Sequence, residues 1–189
     1  MRVISGKFKG RRLKGPEGMD LRPTGDRLKE SLFNILGARL DGTTVLDVFG
    51  GTGAIGIEAL SRGAGEVVFI DGSEAACRLI LKNLQLCGIL AGYRIVRQDV
   101  FSALRSLARE GFKAGIVYID PPYDWKPYGD LLGILFTKGL VSQASSVAIE
   151  HHRKAAVPES GDGFRRTRIV RQGDHCLSFY EESGITNKE

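Results

Sequence analysis

Val45-Leu46-Asp47-Val48-Phe49-Gly50-Gly51-Thr52-Gly53-Ala54-Ile55-Gly56 decides how the rest of the chain reads. Val45–Val48 is a short apolar run, suited to a strand buried on both faces. It ends in a glycine cluster, and Gly51 to Gly56 fits GxGxxG. Glycines there let the chain turn sharply and let a ligand approach backbone. The apolar stretch from Ala54 to Arg62, closed by Gly63, reads as the helix that follows. A strand, a glycine turn and a helix in that order predict a βα unit with ligand-facing N–H groups at the helix start.

The same alternation continues downstream. Glu66–Ile70 reads as a strand and Ser73–Leu86 as a helix closed by Gly88. Tyr93–Val96 is a third strand, followed by a helix from about Phe101 to Arg109. Gly115–Ile119, a helix over Tyr128–Lys138, and Ser146–Glu150 complete the series. Phe164–Val170 and Cys176–Tyr180 flank Gln172-Gly173-Asp174 and read as a hairpin. The expectation is an α/β fold with a mostly parallel sheet, helices on both faces and an antiparallel C-terminal hairpin.

Upstream, residues 2–14 alternate loosely and predict a short ribbon or an extended arm. Pro23 disfavours helix through Arg22, and Thr24 suits an N-cap. Leu28, Leu32, Ile35, Leu36 and Leu40 then recur at helical spacing, predicting a helix over about 25–39. Residues 1–40 hold ten Lys/Arg against four Asp/Glu, a local net of +6 within a total of +5. A basic segment on a near-neutral body fits contact with a polyanion. We read residues 1–41 as a basic arm and helix, 42–183 as the catalytic body and 184–189 as a polar tail. Three widely spaced cysteines (Cys77, Cys87, Cys176) argue against a disulfide framework and against a zinc site. The N-terminus has no apolar core of a signal peptide, and a cytoplasmic protein is expected.

Three acids follow three different strands: Asp47, Asp71 and Asp99. Asp71 suits a ribose diol and Asp99 an adenine amine. Asp47 would repel a pyrophosphate but suits a cationic ligand, which favours S-adenosylmethionine over a dinucleotide. Asp120-Pro121-Pro122-Tyr123 follows the fourth strand. Two prolines fix φ and remove ladder donors, so the loop is stiff. Such a loop fits alkylation of an exocyclic base amine. Asp120 and the Pro121 carbonyl would each accept one N–H hydrogen, and Tyr123 would stack on the base. A nicotinamide-dependent oxidoreductase and a catalytically silent RNA-binding scaffold are the readings from other classes. DNA adenine N6 fits the loop as well as a guanine does.

The arm (Arg2-Val3-Ile4-Ser5-Gly6, Lys9-Gly10-Arg11-Arg12-Leu13), Leu21-Arg22-Pro23-Thr24 with Asp26-Arg27, the stretch Gly53–Gly63 and the Asp-Pro-Pro-Tyr loop together resemble the bacterial 16S rRNA guanine-N2 methyltransferases. The resemblance covers essentially the whole chain. It implies a Rossmann-like methyltransferase fold with a seven-stranded sheet. It implies S-adenosylmethionine held by Asp47, Phe49, Gly51, Gly53, Asp71 and Asp99. Guanine would be held by Asp120, Pro121, Pro122 and Tyr123. RNA would lie along Arg2, Lys7, Lys9, Arg11, Arg12, Arg22, Thr24 and Arg27. The substrate implied is 16S rRNA in an assembled or assembling small subunit. A monomer without metal or membrane partner is expected. Gly25, Asp71 and Ser73 depart from the family pattern.

Overall fold

The structure, a computed structural model, describes residues 1–16 and 24–183. Helix α1 (Thr24–Leu36) runs into a 3₁₀ turn (Gly37–Leu40), so it stops short of the expected 39. Gly37 has φ 51° and ends the α-helical run. Strand β1 (Thr44–Val48) is followed by α2 (Ala54–Ser61), β2 (Glu66–Ile70), α3 (Glu74–Cys87) and β3 (Tyr93–Val96). Then come α4 (Val100–Arg109), β4 (Ile116–Ile119), α5 (Tyr128–Thr137) and β5 (Ser146–His152). Three further strands close the chain: β6 (Ser160–Gly161), β7 (Phe164–Gln172) and β8 (His175–Glu182).

All eight strands form one sheet in the order β3-β2-β1-β4-β5-β8-β7-β6. Strands β1 to β5 are parallel; β8, β7 and β6 are antiparallel additions. Eight strands replace the expected seven because β6 has two residues. That is too short to leave an alternating pattern, and it shows only through its pairing with β7. Strand β5 also runs two residues past Glu150, pairing His151 with Cys176 and His152 with His175. His151 is therefore a buried sheet residue, one step beyond the strand end expected at Glu150.

Alternate residues of each strand face opposite layers. Leu46, Val48, Val117, Ile119, Val147 and Ile149 pack with α4 and α5. Val45, Val67, Phe69, Ile116, Tyr118 and Ala148 pack with α1, α2, α3 and the N-terminal ribbon. Asp47 belongs by register to this second face, level with Tyr118. The ribbon closes through the Arg2–Arg12 bridge and is bonded to the body. Buried Glu58 accepts Ile4 N at 2.7 Å and Ser5 N at 3.0 Å. Buried Asn83 accepts Lys14 N at 2.8 Å and donates to Lys14 O at 3.0 Å. Gly6 lies so close to α2 that an added Cβ would stand 1.8 Å from Ser61 O, so only glycine fits there.

Order and direction together place the functional site. Chain order runs outward from β1 to β2 and β3 on one side, and from β4 to β5 on the other. The loops after β1 and β4 therefore leave the sheet side by side at its point of reversal. Open α/β sheets bind ligands in the crevice at that point.

Candidate active site

The turn after β1 is built on left-handed backbone. Phe49, Gly51 and Gly53 all have positive φ, at 63°, 55° and 75°. Phe49 is the one non-glycine residue with positive φ among those described. Gly56 allows α2 to lie against the sheet, since an added Cβ would meet Phe69 Cε1 at 2.2 Å. Asp47 accepts Gly56 N at 2.9 Å and is buried. Burial pushes its carboxyl up to about 7; the Gly56 N–H opposes this, and the nearby Asp71 charge adds to it. Asp71 accepts Gly51 N at 2.9 Å and Ser73 N at 2.8 Å, tying the end of β2 to the glycine turn.

Asp99 is exposed at the start of α4. Its Oδ1 accepts Phe101 N and Ser102 N, both at 3.1 Å. Hydrogen bonds from Ser102 and Phe101 hold its carboxyl below the usual range. It caps the helix, and one of its oxygens is committed to that cap.

Asp120 follows β4 directly, and its N–H donates to Val48 O at 3.2 Å, binding the two loops together. Its side chain keeps a solvent-facing edge at a cavity of 780 Å³. Protein mass closes around the rest of it. Its carboxyl is pushed well above the usual range by loss of water, then by the Glu150 and Asp47 charges. Pro122 O accepts Trp125 N at 2.9 Å; Pro121 O accepts no hydrogen bond among the described residues. Tyr123 is 72% exposed and meets the His152 ring edge-on at 5.2 Å. Asp120, Pro121, Pro122 and Tyr123 thus line one cavity with Tyr128, Glu150, His152 and His175.

Two sets of residues carry more than the sequence showed. Trp125 is packed among Phe49 (5.3 Å), Phe101 (6.3 Å) and Tyr128 (5.0 Å). It braces the proline loop against the glycine turn and α4. Glu150 accepts the Tyr118 hydroxyl, while His175 Nδ1 lies 3.2 Å from its other oxygen. Burial, with the Asp120 and Glu150 charges, pushes Tyr118 well above 10. Glu150 was visible at the end of a strand. The strand pairing that faces it to Asp120 was not.

Arg2, Lys7, Lys9, Arg11, Arg12 and Lys14 are exposed on the N-terminal ribbon. None pairs with a carboxylate among the described residues. Arg165 and Arg166, by contrast, are engaged by Glu181 and Glu159. Arg27 is exposed on α1. Arg22 and the Thr24 side chain lie outside the described residues.

A sheet of this topology, with a glycine turn and a proline-stiffened acidic loop at its reversal, is the Rossmann-like methyltransferase fold, and with the relatives that follow it makes the chain a methyltransferase. It belongs to the family described as conserved hypothetical protein 95, which matches residues 1–181. It is 35% identical to "Putative rRNA methyltransferase YlbH" of Bacillus subtilis, over 97% of this chain and 100% of that protein. It is 33% identical to ribosomal RNA small subunit methyltransferase D of Escherichia coli, over 84% of this chain and 78% of the relative. The solved structure of yhhF from Escherichia coli superposes with a TM-score of 0.82 at 30% identity, covering 97% of this chain and 98% of that one. The fold is shared with SMU.776, solved in complex with SAH, at a TM-score of 0.69 and 17% identity; 85% of this chain covers 50% of that one.

Proposed function

We propose that this protein methylates the exocyclic N2 amine of a guanine in small-subunit ribosomal RNA, using S-adenosylmethionine. The observation that carries the reading is the meeting of Asp120 and the unengaged Pro121 carbonyl with the glycine turn at the sheet's reversal. The names of the Bacillus subtilis and Escherichia coli relatives support the rRNA substrate.

The residues present suit this cofactor. Asp47 is a buried acid with no cationic partner among the described residues, near the end of the strand that leads into the glycine turn. That is a poor place for a pyrophosphate and a good one for a positively charged ligand. Asp47, Phe49, Gly51, Gly53, Asp71 and Asp99 would hold it. S-adenosylmethionine supplies an electrophilic methyl carried on a cationic sulfur.

The chain's own groups do the rest. Asp120 and Pro121 O each accept one hydrogen of the amine. Two acceptors off the ring plane draw the nitrogen lone pair out of conjugation and toward the methyl. Positive charge grows on that nitrogen during transfer, and a fixed carboxylate and carbonyl dipole stabilise it. Tyr123, exposed at the cavity rim, stacks on the base. Asp120 stabilises that growing charge most strongly when ionised. Its carboxyl is held up by burial and by Glu150 and Asp47, so a cation seated beside it restores the charged form. The ribbon cations hold phosphates, and 16S rRNA within the small subunit is the partner they fit.

Incubation with labelled cofactor and small-subunit particles, against duplex DNA, tests the substrate. Asp120→Ala should lose about 10²–10³-fold in kcat while cofactor affinity holds. Normal turnover by that variant ends the mechanism. A methylated DNA adenine would replace the guanine reading.

A further inference from the structure

We infer that Glu150 reads the base: its carboxylate accepts the guanine N1–H and so admits guanine while rejecting adenine. The inference rests on the guanine reading above and adds the group that selects the base.

Glu150 stands in β5 in register with the acid already placed. Strands β4 and β5 pair Tyr118 with Ala148 and Ile119 with Ile149, so the next step sets Asp120 beside Glu150. Both line the same 780 Å³ cavity. The Glu150 side chain is 18% exposed, enough to reach a ligand there. Its orientation is fixed from both sides. The Tyr118 hydroxyl donates to Oε2, and His175 Nδ1 lies 3.2 Å from Oε1. A carboxylate oxygen has two acceptor sites, so each oxygen keeps one for a ligand.

Two carboxylates on one wall demand a ligand edge rich in donors. Guanine presents N1–H beside its N2 amine, three hydrogens along one edge. Asp120 and Pro121 O take the two amine hydrogens, and Glu150 takes the ring hydrogen. Adenine carries a bare N1 beside its amine, and cytosine a bare N3. In this cavity that lone pair would face a carboxylate, leaving two acceptors without a hydrogen between them. A Tyr118–Glu150 bond that served packing alone would not need a second partner on Glu150, nor its exposure to the cavity.

The test is base replacement at the methylated position, once mapped by mass spectrometry of particle rRNA. Particles are assembled with guanosine or with 2-aminopurine riboside there. The analogue keeps the amine but has a bare N1. Wild type should prefer guanosine by at least about 100-fold in kcat/KM, as expected where a buried acceptor is left unmatched. Glu150→Gln, whose amide N–H can donate to a bare N1, should narrow the ratio to about 10-fold or less. Tyr118→Phe, which frees the carboxylate, should fall between. Cofactor affinity should not move in either variant.

A wild-type ratio near one overturns the inference. So does an unchanged ratio in Glu150→Gln that melts like wild type. If that variant does not fold, the wild-type ratio and Tyr118→Phe decide. No guanine product from wild type overturns the proposed function, and this inference with it. A guanine product with unmoved ratios overturns this inference alone.

Discussion

Asp47 sits at the carboxyl end of a buried strand with its charge unpaired by any cation among the described residues. Its carboxyl rises from 3.8 to about 7, chiefly by burial. Below about pH 4 the folded and unfolded chains both hold this proton. Between 4 and 7 the folded chain keeps a proton that the unfolded chain releases, so stability falls as pH rises through that window. The full shift corresponds to an upper bound on the order of 4 kcal/mol. Asp47→Asn keeps the bond from Gly56 N and removes the titration. Melting temperature of the ligand-free variant should therefore lose this fall between pH 4 and 7. The slope is the readout, because the new amide brings buried N–H groups of its own. The same change should weaken S-adenosylmethionine about 10-fold or more, by calorimetric titration, through loss of the opposing charge. A variant with the wild-type slope would mean that Asp47 is not the titrating group. Glycine and acid positions of this kind were legible in the sequence because each lies within a few residues of a strand end. Asp99 shows the limit of that logic. An acid just after a strand is also an acid just before a helix, and here it caps α4.

At the scale of elements, the strand–turn–helix rhythm was legible because β2 and β4 are apolar runs set between Gly and Asp, and β1 is an apolar run that feeds a glycine cluster. What stayed hidden was made by pairing between distant segments. The two-residue β6 exists only against β7, and the Tyr118–Glu150–His175 set exists only because β4, β5 and β8 are neighbours. The ribbon's anchor was hidden for the same reason. Glu58 lay inside a helix that reads as apolar, yet it is fully buried and accepts Ile4 N, Ser5 N and Arg62 Nε. Lys29 Nζ stands 3.6 Å from it. Glu58→Gln would remove the buried charge that Arg62 Nε meets at 2.8 Å. Breaking such a set costs about 3–5 kcal/mol, measurable by urea denaturation. Hydrogen exchange should localise the damage, with the Ile4 and Ser5 amides losing protection before those of β1. Retained protection at those two amides would show that the ribbon is held by Ser61 and Asn83 without Glu58.

At the scale of the whole molecule, charge is divided from chemistry. The net of +5 is concentrated in the first 40 residues, and the acids of the site lie at the sheet's reversal. Arg94, Arg97, Arg153, Arg165 and Arg166 are each met by a carboxylate elsewhere on the surface, whereas the six exposed ribbon cations meet none among the described residues. Cations left unpaired at a fixed surface favour phosphates, and binding releases the counterions around the RNA. The ribbon is held by Glu58, Ser61 and Asn83, so little ordering entropy would be spent on binding the proposed RNA substrate. Replacing Lys9, Arg11 and Arg12 with alanine removes three such charges without touching the buried Val3 and Leu13. The slope of log affinity against log salt for small-subunit particles should flatten by about 2–3, close to one unit per lost contact. Cofactor affinity should be unchanged, because Lys9, Arg11 and Arg12 are exposed on a ribbon whose anchoring bonds run from other residues to α2 and α3. If the slope stays at its wild-type value while turnover falls, the ribbon positions the helices beneath it and phosphate binding lies elsewhere on the surface.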